Sequence, residues 1–520
     1  MSIMLGNVSG DHFSETLIAR DPVSYRARIS PDRIAARSLA DGITVTYREM
    51  DERIARCASV LNELLGSSVP GATVAALGRN SIDHLVLAFA CQRVNCIFVP
   101  LNWRLGAVEL TDIVADCDAR LLVFEDDFGP VARELGAKSG VKLLGYQGDE
   151  SSLDGLIRKA DPLKPLPATG NEPAILLYTS GTTGTPKGVI LTRSNLFYAA
   201  YNFSVVGEVA PGAVTFCDLP FFHTIGLVAI ARTTLMMGGT LIVSDRFLPE
   251  RTIDCLNDED LAVTHYFAVP QMATILRDQP GYSGERMKRL KAIFIGGAPL
   301  PPPLVEAYLA DGVALVNGYG MSEAGTVLHM PIDHQAISTR HGSVGFPAPL
   351  IDVKIMDAQG QACEAGQVGE LWIRGPSISS GYWKKPEQTA ASFVNGWFRT
   401  GDLVRCDEDG FHIIADRLKD MYISGGENVY PAEVEAVLLS HDAVAEVAVI
   451  GVPDEKWGEV GVAFVVARNS AKVGADELIN HCKSRLATYK RPARIEFLEA
   501  IPRNAAGKPL KHVLRDRATG

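Results

Sequence analysis

Four apolar residues, AILL (174–177), run directly into YTSGTTGTPKGV (178–189). The ten residues from Thr179 to Gly188 comprise four Thr, one Ser, three Gly, one Pro and one Lys. Glycine lets backbone N–H groups crowd around an anion, the hydroxyls add donors, and Lys187 adds a point charge. That composition behind a buried strand suits a polyphosphate. It is not a Walker loop, in which Gly–Lys–Ser/Thr closes the motif, because Lys187 follows Pro186 and precedes Gly188. The plain alternative is a flexible Ser/Thr/Gly loop.

Outward from this stretch, short apolar runs alternate with helix-like segments. Strands are expected at 73–77, 96–100, 121–124, 214–219, 240–243 and 292–295, and helices at 46–65 and 82–93. Buried strands alternating with helices predict α/β layers with largely parallel sheets. From 343 to 415 the texture changes to short strands joined by Gly-bearing turns, which predicts a β-rich subregion. After Asp416 the pattern restarts as an α+β unit of roughly 100 residues, with a helix at 431–439 and strands at 444–452 and 460–466. The expected organisation is a large α/β domain over 1–416, a hinge at 417–420 and a small, mobile α+β domain over 421–520.

The 520 residues are 47% apolar and 21% charged, enough to build a core without staples. A net charge of −11 argues against a nucleic-acid partner. None of the nine Cys forms a CxxC pair, which fits reduced thiols in a cytoplasmic protein and argues against zinc. No apolar run reaches the ~18 residues of a membrane span. The best candidate, 225–243, is interrupted by Arg232 and by Gly238–Gly239. Arg232 itself is expected to snorkel outward from a helix end.

Further segments follow in order: FFH (221–223), GGAPL (296–300), NGYGMSE (317–323), WFRTGD (397–402), DRLKD (416–420), SGGEN (424–428) and PRNAAGK (502–508). Singly, each reads equally well as a turn, an aromatic cluster or a solvated charge. Jointly, and in this order, they resemble the motifs of the adenylate-forming superfamily, which holds acyl-CoA synthetases, aryl-CoA ligases, nonribosomal adenylation domains and firefly luciferase. The resemblance covers nearly the whole chain.

The resemblance implies a role for each matched residue. Thr179, Ser180, Gly181, Thr182, Thr183, Gly184, Thr185 and Lys187 would cradle the ATP phosphates. Gly297, Ala298 and Pro299 would line the adenine and acyl pockets. Tyr319 and Gly320 would face adenine, Ser322 the α-phosphate, and Glu323 with Thr183 would hold Mg²⁺. Asp402 and Arg417 would bind ribose or phosphate, and Lys508 would be the catalytic lysine. His223 would gate the acyl pocket, Lys419 would be the hinge, and Ser424, Gly425 and Gly426 would flank the CoA tunnel. Luciferase-like members carry Lys where Ile423 stands, which argues against a bioluminescent reading.

The implied reaction joins a fatty or aromatic carboxylic acid to CoA at the expense of ATP, through an acyl-AMP. Mg²⁺ is the cofactor, and the acid, ATP and CoA are the partners, with a homodimer allowed. The rivals are an enzyme that loads a carrier-protein phosphopantetheine and a catalytically silent nucleotide-binding protein. The stretch 483–517, with ten Lys/Arg against three Asp/Glu, can meet CoA phosphates or be a solvated face.

Overall fold

The computed structural model describes residues 21–179, 186–468, 473–503 and 509–519. By packing, the chain divides into two compact units, Met1–Asp352 with Arg374–Phe398, and Val353–Ile373 with Arg399–Gly520. The expected hinge at 417–420 lies within the second of these units.

The first unit is built on two sheets. A nine-stranded sheet has the order Phe346–Pro347, Gly325–His329, Leu315–Met321, Ala292–Ile295, His265–Ala268, Val214–Cys217, Thr240–Val243, Ile34–Ser38, Thr44–Thr46. Its six central strands are parallel. A six-stranded sheet has the order Lys142–Gly145, Ala119–Phe124, Thr73–Leu77, Ile97–Pro100, Pro173–Thr179, Lys187–Thr192, parallel up to its last, antiparallel pair. Helix Ile82–Arg93 packs against Ile97–Pro100 of one sheet and Ile34–Ser38 of the other. Every residue of it except Asp83 is buried, as a helix sandwiched between layers must be. The helix expected at 46–65 runs Tyr47–Leu65 and is capped by Thr46, whose hydroxyl accepts the Glu49 N–H (3.2 Å) while the Glu49 carboxylate accepts the Thr46 N–H (2.7 Å).

The second unit ends in an antiparallel sheet of Glu427–Val429, Tyr422–Ser424, Gly458–Ala467 and Val444–Asp454, extended by Arg494–Phe497. Its central strands bury both faces. Val449, Ala463 and Val465 meet helices Pro431–Leu439 and Ala475–Lys483 on one side, and Ala448, Ile450, Val462 and Phe464 meet Leu514 of helix Lys511–Thr519 on the other. Burial on both faces is why 447–450 reads as a continuous apolar run rather than an alternation.

Two expectations are corrected. The Tyr319–Gly320 step is not a turn: it lies inside strand Leu315–Met321, where the register against Gly325–His329 shifts between the two residues. Gly320 is required there, since a Cβ would sit 2.4 Å from the Gly325 carbonyl oxygen. Arg232 does not snorkel outward. It ends the π-helix Ile225–Arg232, is buried, donates to Gln92 Oε1 (3.0 Å) and lies over the Phe89 ring, and burial pulls its pKa down to about 10. The core polar partner Gln92, on a helix distant in sequence, makes that burial tolerable.

Candidate active site

Parallel strands place three of the motifs at one edge of the first unit. Val214–Cys217, Ala292–Ile295 and Leu315–Met321 run in the same direction in one sheet, so the residues after them emerge at its carboxyl end, where open α/β sheets bind ligands. Phe221–Phe222–His223 follows the first of these strands and Gly296–Pro299 the second, while Tyr319–Glu323 closes the third. Gly297, Ala298 and Pro299 are exposed, and Tyr319, Ser322 and Glu323 are half-buried.

The aromatic–His segment is tightly held. The Phe222 and His223 rings lie 4.6 Å apart, and Trp103 packs edge-on to Phe222. Asn80, buried on the loop after strand Thr73–Leu77, accepts the Phe221 N–H (2.8 Å) and donates to the carbonyls of Leu219 (2.8 Å) and Ser244 (3.1 Å). Asp218, just before this segment, is fully buried and accepts from Thr252 Oγ1 (2.8 Å) and the Tyr266 hydroxyl (3.2 Å); burial pushes its pKa up to about 7.

The strand that opens at Lys187 and the segment around Glu323 converge on one side chain. Lys187 opens strand Lys187–Thr192, which pairs with 380–383 through Val189↔Tyr382, the Trp383 N–H to Gly188 O (2.7 Å) and the Ile190 N–H to Gly381 O (3.0 Å). The Tyr382 ring faces Lys187 Nζ at 5.6 Å, and its hydroxyl donates to Glu323 Oε1 (2.9 Å). The Ser379 N–H holds the Glu323 carbonyl (2.6 Å). At the head of the motif, the half-buried Tyr178 donates its hydroxyl to Asp116 Oδ2 (2.5 Å). Ser180, Gly181, Thr182, Thr183, Gly184 and Thr185 lie outside the described residues. Glu323 fits a hard divalent cation: it offers a carboxylate, and Mg²⁺ takes one or two carboxylates with substrate phosphates rather than an all-protein cage.

In the second unit the expected ribose contacts are brought together. Asp402 and Arg417 face each other across antiparallel strands Trp397–Cys406 and His412–Arg417, with Arg417 Nε 2.7 Å from Asp402 Oδ1. Asp402 is buried at 2% exposure while Arg417 is at 46%, so one end of the pair is presented to solvent. Glu370 supports the strand segment before Asp402: it accepts from Arg399 (2.8 Å), Trp372 Nε1 (2.9 Å) and the Gly401 N–H (3.3 Å). Lys419 is exposed. Gly425 (φ +62°) and Gly426 (φ +86°) form the two-residue turn joining Tyr422–Ser424 to Glu427–Val429, a geometry that needs positive φ at both positions. Ser424 is buried. Lys508 lies outside the described residues. Tyr382, Asn80 and Glu370 went unread in the sequence, since nothing in their spacing marks them. Only the aromatic pair Tyr382–Trp383 after Gly381 hints at a packed strand.

Residues 23–383 match the AMP-binding enzyme family, and 433–508 match the AMP-binding enzyme C-terminal domain. The chain is 39% identical over 494 residues to a feruloyl-CoA synthase of an Amycolatopsis species, covering 95% of this chain and 97% of that one. It is 35% identical over 504 residues to the fatty acid–[acyl-carrier-protein] ligase ScoC of Streptomyces coeruleorubidus, covering 96% of each. Among solved structures, o-succinylbenzoate CoA synthetase (MenE) of Bacillus subtilis in complex with ATP and magnesium superposes with a TM-score of 0.83 at 32% identity, covering 96% of this chain and 99% of that one.

Proposed function

Because the chain belongs to the AMP-binding enzyme family, we infer from that premise that it is an ATP-dependent acyl-CoA synthetase. It activates a carboxylic acid, fatty or aromatic, as acyl-AMP and transfers the acyl group to the CoA thiol, releasing AMP and pyrophosphate. It uses ATP with Mg²⁺, and CoA is the acyl acceptor. The observation that carries this reading is the gathering of FFH, GGAP and YGMSE at the carboxyl end of one parallel sheet, with Lys187 and Glu323 joined through Tyr382.

In the first step a carboxylate oxygen attacks the α-phosphorus of ATP, and the bond to the pyrophosphate oxygen breaks. Both reactants are anions, so the barrier is largely electrostatic. We assign Lys187 and the Thr179–Thr185 amides to the phosphates, Ser322 and Lys508 to the α-phosphate, and Tyr319 with Gly297–Pro299 to the adenine and acyl group. Glu323 would hold Mg²⁺, whose charge would offset that of the phosphates. Asp402, held by Arg417, accepts from the ribose hydroxyls. In the second step the CoA sulfur attacks the acyl carbonyl, the thiol proton is released, and AMP leaves. His223 is assigned as the gate that yields to the incoming thiol, Ser424, Gly425 and Gly426 as the tunnel wall, and Lys419 as the hinge between the steps. A cytoplasmic location fits a user of ATP and CoA whose nine cysteines are all unpaired.

Pyrophosphate exchange, followed by acid-dependent AMP release with CoA or with a phosphopantetheinylated carrier protein, tests the reading. The panel is medium- and long-chain fatty acids against cinnamates and benzoates. Acid-dependent exchange with AMP release to CoA is expected. Exchange that proceeds to a carrier protein but not to CoA gives the rival carrier-loading enzyme. No exchange with any acid gives the silent nucleotide binder.

A further inference from the structure

The reading above leaves Tyr382 without a role, although its side chain touches two of the groups assigned to ATP. We propose that Tyr382 is the positioning residue that holds Glu323 in its metal-binding orientation and couples it to the phosphate-loop strand; this rests on the Mg²⁺–ATP reading of the site.

Three observations carry it. The Tyr382 hydroxyl donates to Glu323 Oε1 at 2.9 Å, fixing the carboxylate by a hydrogen bond to a charged acceptor. The Tyr382 ring lies 5.6 Å from Lys187 Nζ, within cation–π range, so one side chain contacts both the acid and the base of the site. Its backbone is fixed on both sides, by the bridge to Val189 and by the Tyr382 N–H to Thr389 Oγ1 (3.0 Å). Thr389 in turn donates to the Lys385 carbonyl (2.9 Å), and the Ser379 N–H clamps the Glu323 main chain. Glu323 is thus gripped at its carbonyl and at its carboxylate by one four-residue segment that is itself laced to the strand of Lys187. A glutamate held this way loses little rotamer freedom when a cation arrives, which is how a surrounding side chain tunes a metal site without touching the metal.

The test is calorimetric binding of ATP to the full chain, with Mg²⁺ and with EDTA, in wild type and in Tyr382→Phe. The phenylalanine keeps the ring over Lys187 and the strand pairing and removes only the hydroxyl. Its magnesium-dependent gain in ATP affinity should fall about tenfold, the lower end of what a hydrogen bond to a charged group is worth, with affinity in EDTA unchanged. Tyr382→Leu should in addition weaken binding in EDTA, because the ring over Lys187 is gone. In a Glu323→Gln background, Tyr382→Phe should have no further effect. Should Tyr382→Phe fail to fold, Thr389→Val reports the same coupling by loosening the Tyr382 backbone, and an unchanged magnesium gain there overturns the proposal. A wild type whose ATP affinity gains nothing from magnesium refutes the underlying reading of the site. A wild-type gain matched by Tyr382→Phe refutes the positioning role alone.

Discussion

Removing Arg417 strips a buried carboxylate of an ion-pair partner while leaving the strand pairing intact. Arg417→Ala should raise the ATP KM about tenfold, the scale of one charge-assisted hydrogen bond. It should also lower unfolding stability by about 1–3 kcal/mol, less than a fully buried pair because Arg417 is half exposed. Urea unfolding and exchange kinetics check both. Lys508→Ala should cut pyrophosphate exchange by about 10²–10³, the cost of one preorganised electrostatic contact, and spare thioester formation from supplied acyl-AMP. Exchange near wild type would remove Lys508 from the site. Asp218 makes a pH prediction. Its folded pKa of about 7 stands above the ordinary carboxylate value, so the folded state holds the proton more tightly. The stabilising contribution of the protonated acid is complete below about pH 4 and is lost as pH rises towards 7; three units correspond to about 4 kcal/mol at most. Asp218→Asn should therefore flatten the fall in urea midpoint between pH 5 and pH 8 that wild type shows. A wild-type midpoint that does not fall over that range contradicts the assignment.

At the scale of elements, the Gly425–Gly426 turn joins local geometry to the assigned tunnel. In Gly425→Ala the Cβ would lie 2.8 Å from the Trp457 ring. Gly426 points its missing Cβ into open space, so Gly426→Leu pays only the left-handed backbone penalty of ~1–2 kcal/mol. Adenylation by Gly426→Leu should persist and CoA turnover should fall, and an equal loss in both half-reactions removes the tunnel assignment. Strands 73–77, 240–243 and 292–295 and helices 82–93 and 431–439 were legible to the residue, because the first four are apolar runs bounded by capping or Gly signals and the last opens on Pro431. Strand His265–Ala268 and the strand character of Leu315–Met321 were not. The second carries Gly and Asn that propensity reads as a turn, and sheet pairing overrides propensity.

For the whole molecule, the two half-reactions need different groups at one reacting carbonyl, and the proposal is that rotation about Lys419 exchanges them. Proline there locks φ near −65° and removes an N–H. Lys419→Pro should leave one half-reaction nearly intact and abolish the other, whereas Lys419→Ala should keep most of both. A Lys419→Pro protein that folds and runs both steps at wild-type rate places the rotation elsewhere.

The sequence by itself determined the layered α/β class, the β-rich subregion, the terminal α+β unit and the family, because strand periodicity and Gly–Ser/Thr–Lys loops are local properties. It also singled out Asp402 and Arg417 as candidates, though not that they pair across two strands. Only the tertiary structure decided that Tyr382 meets Glu323 and Lys187, that Asn80 holds Leu219 and Phe221, and that Arg232 is buried beside Gln92. Those contacts join residues between 59 and 195 positions apart. They exist because strand order and register bring those segments together, and no local spacing encodes that.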